Sequence, residues 1–483
     1  MAAPRVTLST LLGDAVIYGL PRFAQMLMSV LLLPLYTRYF AVAEYGIIEN
    51  LNILAVLLTW AVGLALPSSV VRFYTVADSL QERVSIVTSA AAATTAMSGL
   101  TLLAMALLGG WLGQLFLHLE PARGRPLIIL VTAWVATLLP LSVCESVFQA
   151  RFQRRQYLVS TLGSVVVSVA ITALCLVQFR LGVVSVFLGA VLGHGLLMVY
   201  AVYNISTEFR ISAFHVRTLR RLLAFSLPLV PAALALLAIR SADRYFIIFL
   251  LPDPLHQVGL YSMAEKLMGP LTLLGAAFTL AWSPFAMAAS LQDNAQLLYL
   301  RAFKHYVALT SVAIVALCAA APLLLRILAT PPYYESVIYM PPLGLYLALN
   351  SLYHLGALGF MLTNRTVLMV PMVLAAALVN AVLNLLWIPP YGVSGAAWAT
   401  VVTFLIYNGA LFLVGDRLCL VGFPLATGLT VYALAIPAAY LALYFPLFGP
   451  LLVAAHIGLL LVTGFLELQG LTRHGHTLLR GPR

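Results

Sequence analysis

The sequence predicts an all-α polytopic membrane protein of about fourteen transmembrane helices, in two pseudo-symmetric six-helix lobes followed by two extra C-terminal helices. Three observations carry that prediction. Apolar residues make up 63% of the 483 residues and charged residues only 8%, and mean hydropathy is +1.02, beyond what a buried soluble core absorbs. The charged, Pro and Gly clusters divide the chain into apolar runs of about 20 residues, the length that crosses a hydrocarbon core. The third observation is an internal repeat.

Taken in order, the expected spans are 11–37, 46–71, 84–117, 127–150, 157–179, 181–204, 222–251, 258–287, 305–328, 337–362, 366–388, 391–414, 422–444 and 448–468. The first run carries Asp14 and Arg22 and has no small-residue cleavage site, so it is expected to be a retained helix and not a signal peptide. The longest connection, "ISTEFRISAFHVRTLRR", links spans six and seven. The expected domains are therefore an N-terminal lobe at 1–204, a basic linker at 205–221, a C-terminal lobe at 222–415, and a last helix pair with its tail at 416–483.

Formal net charge is +11, from 26 Lys and Arg against 15 Asp and Glu. Nucleic-acid binding would need those cations gathered on one exposed face; here they are scattered through short loops, and no nucleic acid is expected. With the N-terminus placed in the cytoplasm, seventeen of the cations fall in inner segments. Only Arg38, Arg123, Arg125, Arg180 and Arg326 fall in outer ones. This positive-inside bias puts both termini on the cytoplasmic side. Cys144, Cys175, Cys318 and Cys419 lie far apart within apolar runs, as small buried hydrophobes do. No cofactor or metal is expected.

The repeat emerges on comparing the two sides of the linker. Arg155, Leu158, Gly182 and Val183 match Arg365, Leu368, Gly392 and Val393 at a constant offset of 210. At the starts, Pro21 answers Pro228 and Arg38-Tyr39-Phe40 answers Arg244-Tyr245-Phe246, while Gly46 pairs loosely with Gly259. Six spans is an even number, so the second copy enters the membrane from the same side as the first. The halves are thus expected to be related by a pseudo-two-fold axis along the membrane normal, with the substrate path between them.

"LLLPLYTRYFAVAEYG", "RFY", "FSLPLVPAALALLAIRSADRYFI", "VGLYSMAEKL", "AWSPF" and "LNLLWIPPYGVSGAAWAT" resemble the polysaccharide transporters or O-antigen flippases of the multidrug/oligosaccharidyl-lipid/polysaccharide superfamily. The resemblance covers essentially the whole chain. It implies a bacterial inner-membrane transporter that moves a polyprenyl-diphosphate-linked saccharide from the cytoplasmic to the outer leaflet by alternating access. Its partners would be that lipid-linked saccharide, the bilayer, and a polysaccharide polymerase with other assembly proteins. Relatives with other cargo are flippases of the peptidoglycan lipid precursor and multidrug exporters. An exporter of that kind typically has twelve spans and favours carboxylates in its cavity. An enzyme of the same pathway would need catalytic groups on sizeable outer loops, and no outer loop exceeds roughly ten residues.

Four cations fall within spans: Arg22, Arg240, Arg244 and Lys266. A charge at membrane depth is costly and usually faces a bundle interior or an aqueous cavity. At 1.5 Å per residue, Arg22 lies about 16 Å from the inner boundary, Arg240 about 27 Å from it, and Lys266 about 12 Å from the outer one. Arg240, Asp243 and Arg244 have i,i+3 and i,i+4 spacing on one helix, and Asp243 neutralises only one of the two arginines. The expectation is a central cavity in which Arg22, Arg240, Arg244 and Lys266 bind a diphosphate or an anionic saccharide, because a guanidinium fork takes phosphate oxygens bidentately. Asp243 and Glu265 would serve as ion-pair or coupling residues; the competing reading makes Asp243 and Arg244 a structural pair at a helix end. Asp14, Glu49 and Glu145 are read as edge residues, and His194 and His354 as histidines hydrogen-bonded to a neighbouring helix. Pro21, Pro34, Pro228 and Pro231 are expected to kink the leading helix of each half.

Overall fold

Inside a bilayer a segment must satisfy its own backbone N–H and C=O groups, which leaves a chain this apolar the helix. The computed structural model describes residues 23–465 apart from residue 26, and every regular element among them is helical. Ten of these helices are long and apolar enough to cross a membrane, eleven when one bent pair is counted as a span. The protein is a multi-pass membrane protein.

The chain divides into two compact units, Met1–Gly259 and Leu260–Arg483. The first contains α1 (Leu33–Tyr39), α2 (Val42–Gly63), α3 (Leu66–Thr75), α4 (Leu80–Leu117), α5 (Pro121–Ala150), α6 (Arg154–Val177), α7 (Val184–Ile205), α8 (Val216–Ser226), α9 (Leu229–Leu250) and the start of α10 (Pro254–Leu267). Local chemistry sets the ends of these helices. Glu44 accepts the Ala41 N–H at 2.9 Å to start α2, and Ser79 accepts the Glu82 N–H at 3.1 Å to start α4. Between α4 and α5 the chain turns at His118, in the left-handed region, and the helices then meet at Gly113 and Gly124. A Cβ on Gly113 would lie 2.7 Å from the Gly124 Cα. One core forms around Val87, Val143, Val147 and Phe148, a second around Ile48, Leu51, Ile128 and Phe187.

Gly46 and Gly259, the loosely paired repeat positions, touch reciprocally. A Cβ on Gly46 would meet the Leu255 carbonyl, four residues before Gly259. One on Gly259 would meet the Val42 carbonyl, four residues before Gly46. At this spot the starts of α2 and α10 make the self-complementary contact of a local two-fold.

The second unit continues with α11 (Gly269–Ala289), α12 (Ala295–Leu328), α13 (Met340–Gly356), the short α14 (Leu358–Leu362), α15 (Met369–Leu418), α16 (Leu425–Tyr444) and α17 (Gly449–Val462). α15 is two helices joined at Gly392, whose φ of 59° and ψ of −141° are non-helical. The Asn380 amide nitrogen lies 3.3 Å from Thr403 Oγ1. In one straight helix those residues would be about 35 Å apart, so the arms fold back on each other as a hairpin.

Several expected spans are corrected in detail. Span 46–71 is broken at Leu64 and Ala65, both left-handed, with Pro67 opening α3. Span 258–287 is broken at Met268, where the following Pro270 has no N–H to continue the helix. The start of span 222–251 belongs to a separate helix, α8, which meets α9 at a 41° bend beside Pro228, as that proline's expected kink requires. Fourteen spans are not reached among the described residues: the first expected span, 11–37, lies outside them as far as residue 22, which takes in Asp14 and Pro21, and the last is the shorter apolar stretch Pro446–Val462.

Candidate functional site

α9 owes its packing to apolar residues. Leu234, Leu237, Ala238 and Ser241 recur at helical spacing and face Ile53 and Leu57 of α2 across a cavity of about 280 Å³. Toward its end, Tyr245 and Phe249 stand edge-on to Phe116 of α4, with ring centroids 5.6 and 6.0 Å away. Phe116 is itself tied to α2, because the buried Asn50 amide donates to its carbonyl at 2.6 Å.

Within this frame the charged trio separates. Arg240 is exposed, whereas Asp243 and Arg244 are 1% and 5% exposed. The Arg244 N–H donates to Asp243 Oδ1 at 2.9 Å, and neither residue is without further partners. Buried charges persist only when paired, and both Asp243 and Arg244 are bonded. Arg240 keeps its guanidinium outward from a helix that is otherwise apolar over most of its length.

Among the other expected residues, Arg22 lies outside the described residues. Lys266 and its neighbour Glu265 are half-buried in the last turns of α10, in the second unit, and both have partners. Glu49 is buried on α2 and has a partner. His194 is buried; its Nδ1 lies 2.9 Å from the Ala190 carbonyl and 3.4 Å from Ser168 Oγ on the neighbouring α6. His354 accepts the Trp282 indole N–H on its carbonyl at 2.9 Å. Cys144, Cys175 and Cys318 are buried and Cys419 half-buried. Among the described residues, no group of three His, Cys, Asp or Glu is placed to hold a metal ion.

Two polar clusters escape sequence reasoning. In the first unit the Tyr74 hydroxyl donates to Glu208 at 2.7 Å, Arg151 Nε donates to the Tyr74 oxygen at 2.8 Å, and Arg151 forms an ion pair with the buried Glu208. Arg151 therefore pairs with Glu208 across the unit. Tyr74 lies in "RFY" and Glu208 in the linker, 134 residues apart, a separation that no local spacing rule spans. In the second unit Asn380, Asn384, Thr400 and Thr403 are all buried. Asn384 donates to Asn380 Oδ1 at 3.0 Å, and the Asn384 Oδ1 is buried without a hydrogen-bond partner. Here a signal existed: two amides four residues apart in an apolar span share one helix face.

Residues 11–289 match the model of a family described as polysaccharide biosynthesis protein. The chain belongs to that family. No curated protein matches it. Among solved structures, it is similar to a lipid II flippase MurJ in an inward closed conformation, at 14% identity and a TM-score of 0.70, over 92% of this chain and 98% of that one. It is similar also to an inward-facing multidrug-resistance MATE transporter of the MOP superfamily, at 14% identity and a TM-score of 0.62, over 84% and 95%. A MOP superfamily transporter from Pyrococcus furiosus aligns at 13% identity with a TM-score of 0.57, over 84% and 96%. This polysaccharide biosynthesis protein thus has the fold of the MOP superfamily transporters.

Proposed function

We propose that the protein is a flippase, not an enzyme, which translocates a polyprenyl-diphosphate-linked oligosaccharide across the bacterial inner membrane by alternating access, for surface polysaccharide synthesis. Both termini face the cytoplasm, and the cargo is handed to a polymerase and its assembly partners. The observation that carries this reading is Arg240: a guanidinium exposed on an apolar membrane helix of a polysaccharide biosynthesis family member. A charge held there is expensive, and a diphosphate crossing a low-dielectric interior needs a countercharge. In this scheme Arg22 and Arg240 contact the diphosphate, Arg244 and Lys266 raise the local positive potential, and Asp243 and Glu265 hold those cations in place.

Deleting the protein is expected to trap the lipid-linked intermediate in the inner leaflet and abolish the surface polymer without raising drug sensitivity. Normal polymer with enhanced dye accumulation would instead support a multidrug or cation antiporter. The fold shared with MurJ favours a second reading, a flippase of the peptidoglycan lipid precursor, for which depletion would arrest growth and leave surface polymer export intact. In complementation, Arg240→Ala is expected to reduce flipping about 10- to 150-fold, the worth of one charge-assisted hydrogen bond. Arg240→Lys would restore it only in part, because it keeps the charge and loses the fork.

A further inference from the structure

The linker is fastened across the first turns of α4. The Arg210 N–H donates to Thr88 Oγ1 at 3.2 Å, the His215 N–H to Ser89 Oγ at 3.3 Å, and the Thr218 and Ser85 hydroxyls lie 3.0 Å apart. Farther along α4, Ala92, Ala93 and Ala96 are small and leave space. Phe209, Ile211 and Phe214 of the linker complete the lining of a cavity of about 610 Å³ there. Its wall is apolar except for Thr88, whose hydroxyl already accepts a bond. A cavity lined this way does not hold water well, because water needs two to four polar partners. Leu64, on another wall, has a left-handed φ of 49°, and the next residue, Ala65, one of 52°. Two successive non-glycine residues in that region mark a strained break, and here it separates α2 from α3 beside the cavity.

Exposed arginines flank the lining residues in sequence, and one farther along α8, Arg221, pairs with Glu82 of α4 at 2.8 Å. Arg210 sits between the lining residues Phe209 and Ile211, Arg220 follows the lining residue Leu219, and both arginines are exposed. α8 is amphipathic: Leu222 is buried, while Arg217, Arg220 and Arg221 point to the exposed side. Helices of this composition lie in the membrane interface and attract anionic lipid.

We propose that this cavity holds one acyl chain of an anionic glycerophospholipid, with the lipid phosphate against Arg210 and Arg220. The proposal rests on the cytoplasmic placement of the linker in the reading above, where anionic lipids give the leaflet its negative surface potential. It does not rest on transport, so the test measures binding alone. The full chain in mild detergent is incubated with phosphatidylglycerol or phosphatidylcholine, each bearing a photoactivatable group near the end of one acyl chain. After illumination, adducts are mapped by peptide mass spectrometry. Phosphatidylglycerol is expected to label segments 88–97 and 209–223, and phosphatidylcholine to label them at least tenfold less. Ala93→Trp, which fills the cavity, is expected to remove the adducts. Arg210→Gln with Arg220→Gln, on the surface and free of any packing change, is expected to cut labelling by phosphatidylglycerol about 30-fold, since each cation near an anionic surface is worth about fivefold. Equal labelling by the two lipids, unchanged labelling in the double arginine variant, or recovery of a purified isoprenoid lipid in place of phospholipid would overturn the proposal. Wild-type protein that labels as expected but moves no lipid-linked saccharide in a separate transport assay would overturn the transport reading and leave this one standing.

Discussion

Two hairpins, one in each unit, occupy matching positions of the repeat and are held together by opposite means. The α6–α7 hairpin turns at Gly182, and the arms of α15 turn at Gly392, 210 residues later; both glycines have a φ of +59°. Neither would meet anything with an added Cβ, so glycine is required by conformation and not by space. Beyond the turn the solutions diverge. α6 and α7 approach so closely that a Cβ on Gly189 would lie 2.1 Å from Thr172 Oγ1, and one on Gly193 would lie 2.1 Å from Ser168 Oγ, the small-residue packing common between membrane helices. The α15 arms are bridged by Asn380, Thr400 and Thr403, with Asn384 bonded to Asn380. At the same offset the first repeat has Ala170 for Asn380, Leu174 for Asn384, Ala190 for Thr400 and Gly193 for Thr403. The two hairpins share the turn and differ in what joins their arms: close backbone contact in one, buried amides in the other. Buried amides are the costlier choice in a membrane.

The largest effect is expected at Gly193. Gly193→Leu must push its Cβ through the Ser168 side chain and toward the Ser168 backbone nitrogen, 2.6 Å away, at a cost of about 3 kcal/mol, the upper range for overpacking. Thermal unfolding of the purified protein in detergent is expected to show the largest drop in Tm for this variant. A Tm within a degree of wild type would mean the helices are not in close contact.

Asn380→Leu comes next. It strips Asn384 of its acceptor and removes the bridge to the other arm, for about 1 to 3 kcal/mol. Asn384→Leu is milder, because the oxygen it deletes already lacks a partner. In a double-mutant cycle the pair is expected to cost less than the sum of the single changes; strict additivity would show that the two amides do not interact.

Gly182→Ala and Gly392→Ala are expected to cost about 1 to 2 kcal/mol each, the penalty of a left-handed L-residue, and to agree within about 0.5 kcal/mol, the usual scatter for independent sites. Clearly unequal losses would separate the two turns. The smallest effect belongs to Thr403→Val, which keeps shape and removes one interhelical bond, worth about 0.6 kcal/mol in a membrane protein.

These positions also mark where the sequence was legible. A glycine followed by a valine, matched across a constant offset, points to the same turn in both segments, and Pro389 with Pro390 before Gly392 places the α15 break where the structure has it. The pairing of Gly46 with Gly259 is legible too, whereas their mutual contact is set by how α2 and the start of α10 pack. The breaks at Leu64 and Met268 were not readable from apolar runs, because hydropathy does not register a change of backbone direction. At the candidate site, depth counting singled out Arg240, Asp243 and Arg244 together. Burial then separated them, since three residues on one helix can face a neighbour or open space according to packing that lies far away in sequence. The Tyr74–Glu208–Arg151 cluster was beyond reach for the same reason.

The central claim, that an exposed membrane arginine serves a diphosphate-bearing cargo, is tested most directly by reconstitution. The protein is placed in liposomes with a fluorescent polyprenyl-diphosphate oligosaccharide, and movement of the label between leaflets is followed with a membrane-impermeant quencher. Protein-dependent movement is expected, slowed at least tenfold by Arg240→Ala at equal protein content. Movement at the wild-type rate in Arg240→Ala, or none with the wild-type protein, would contradict it.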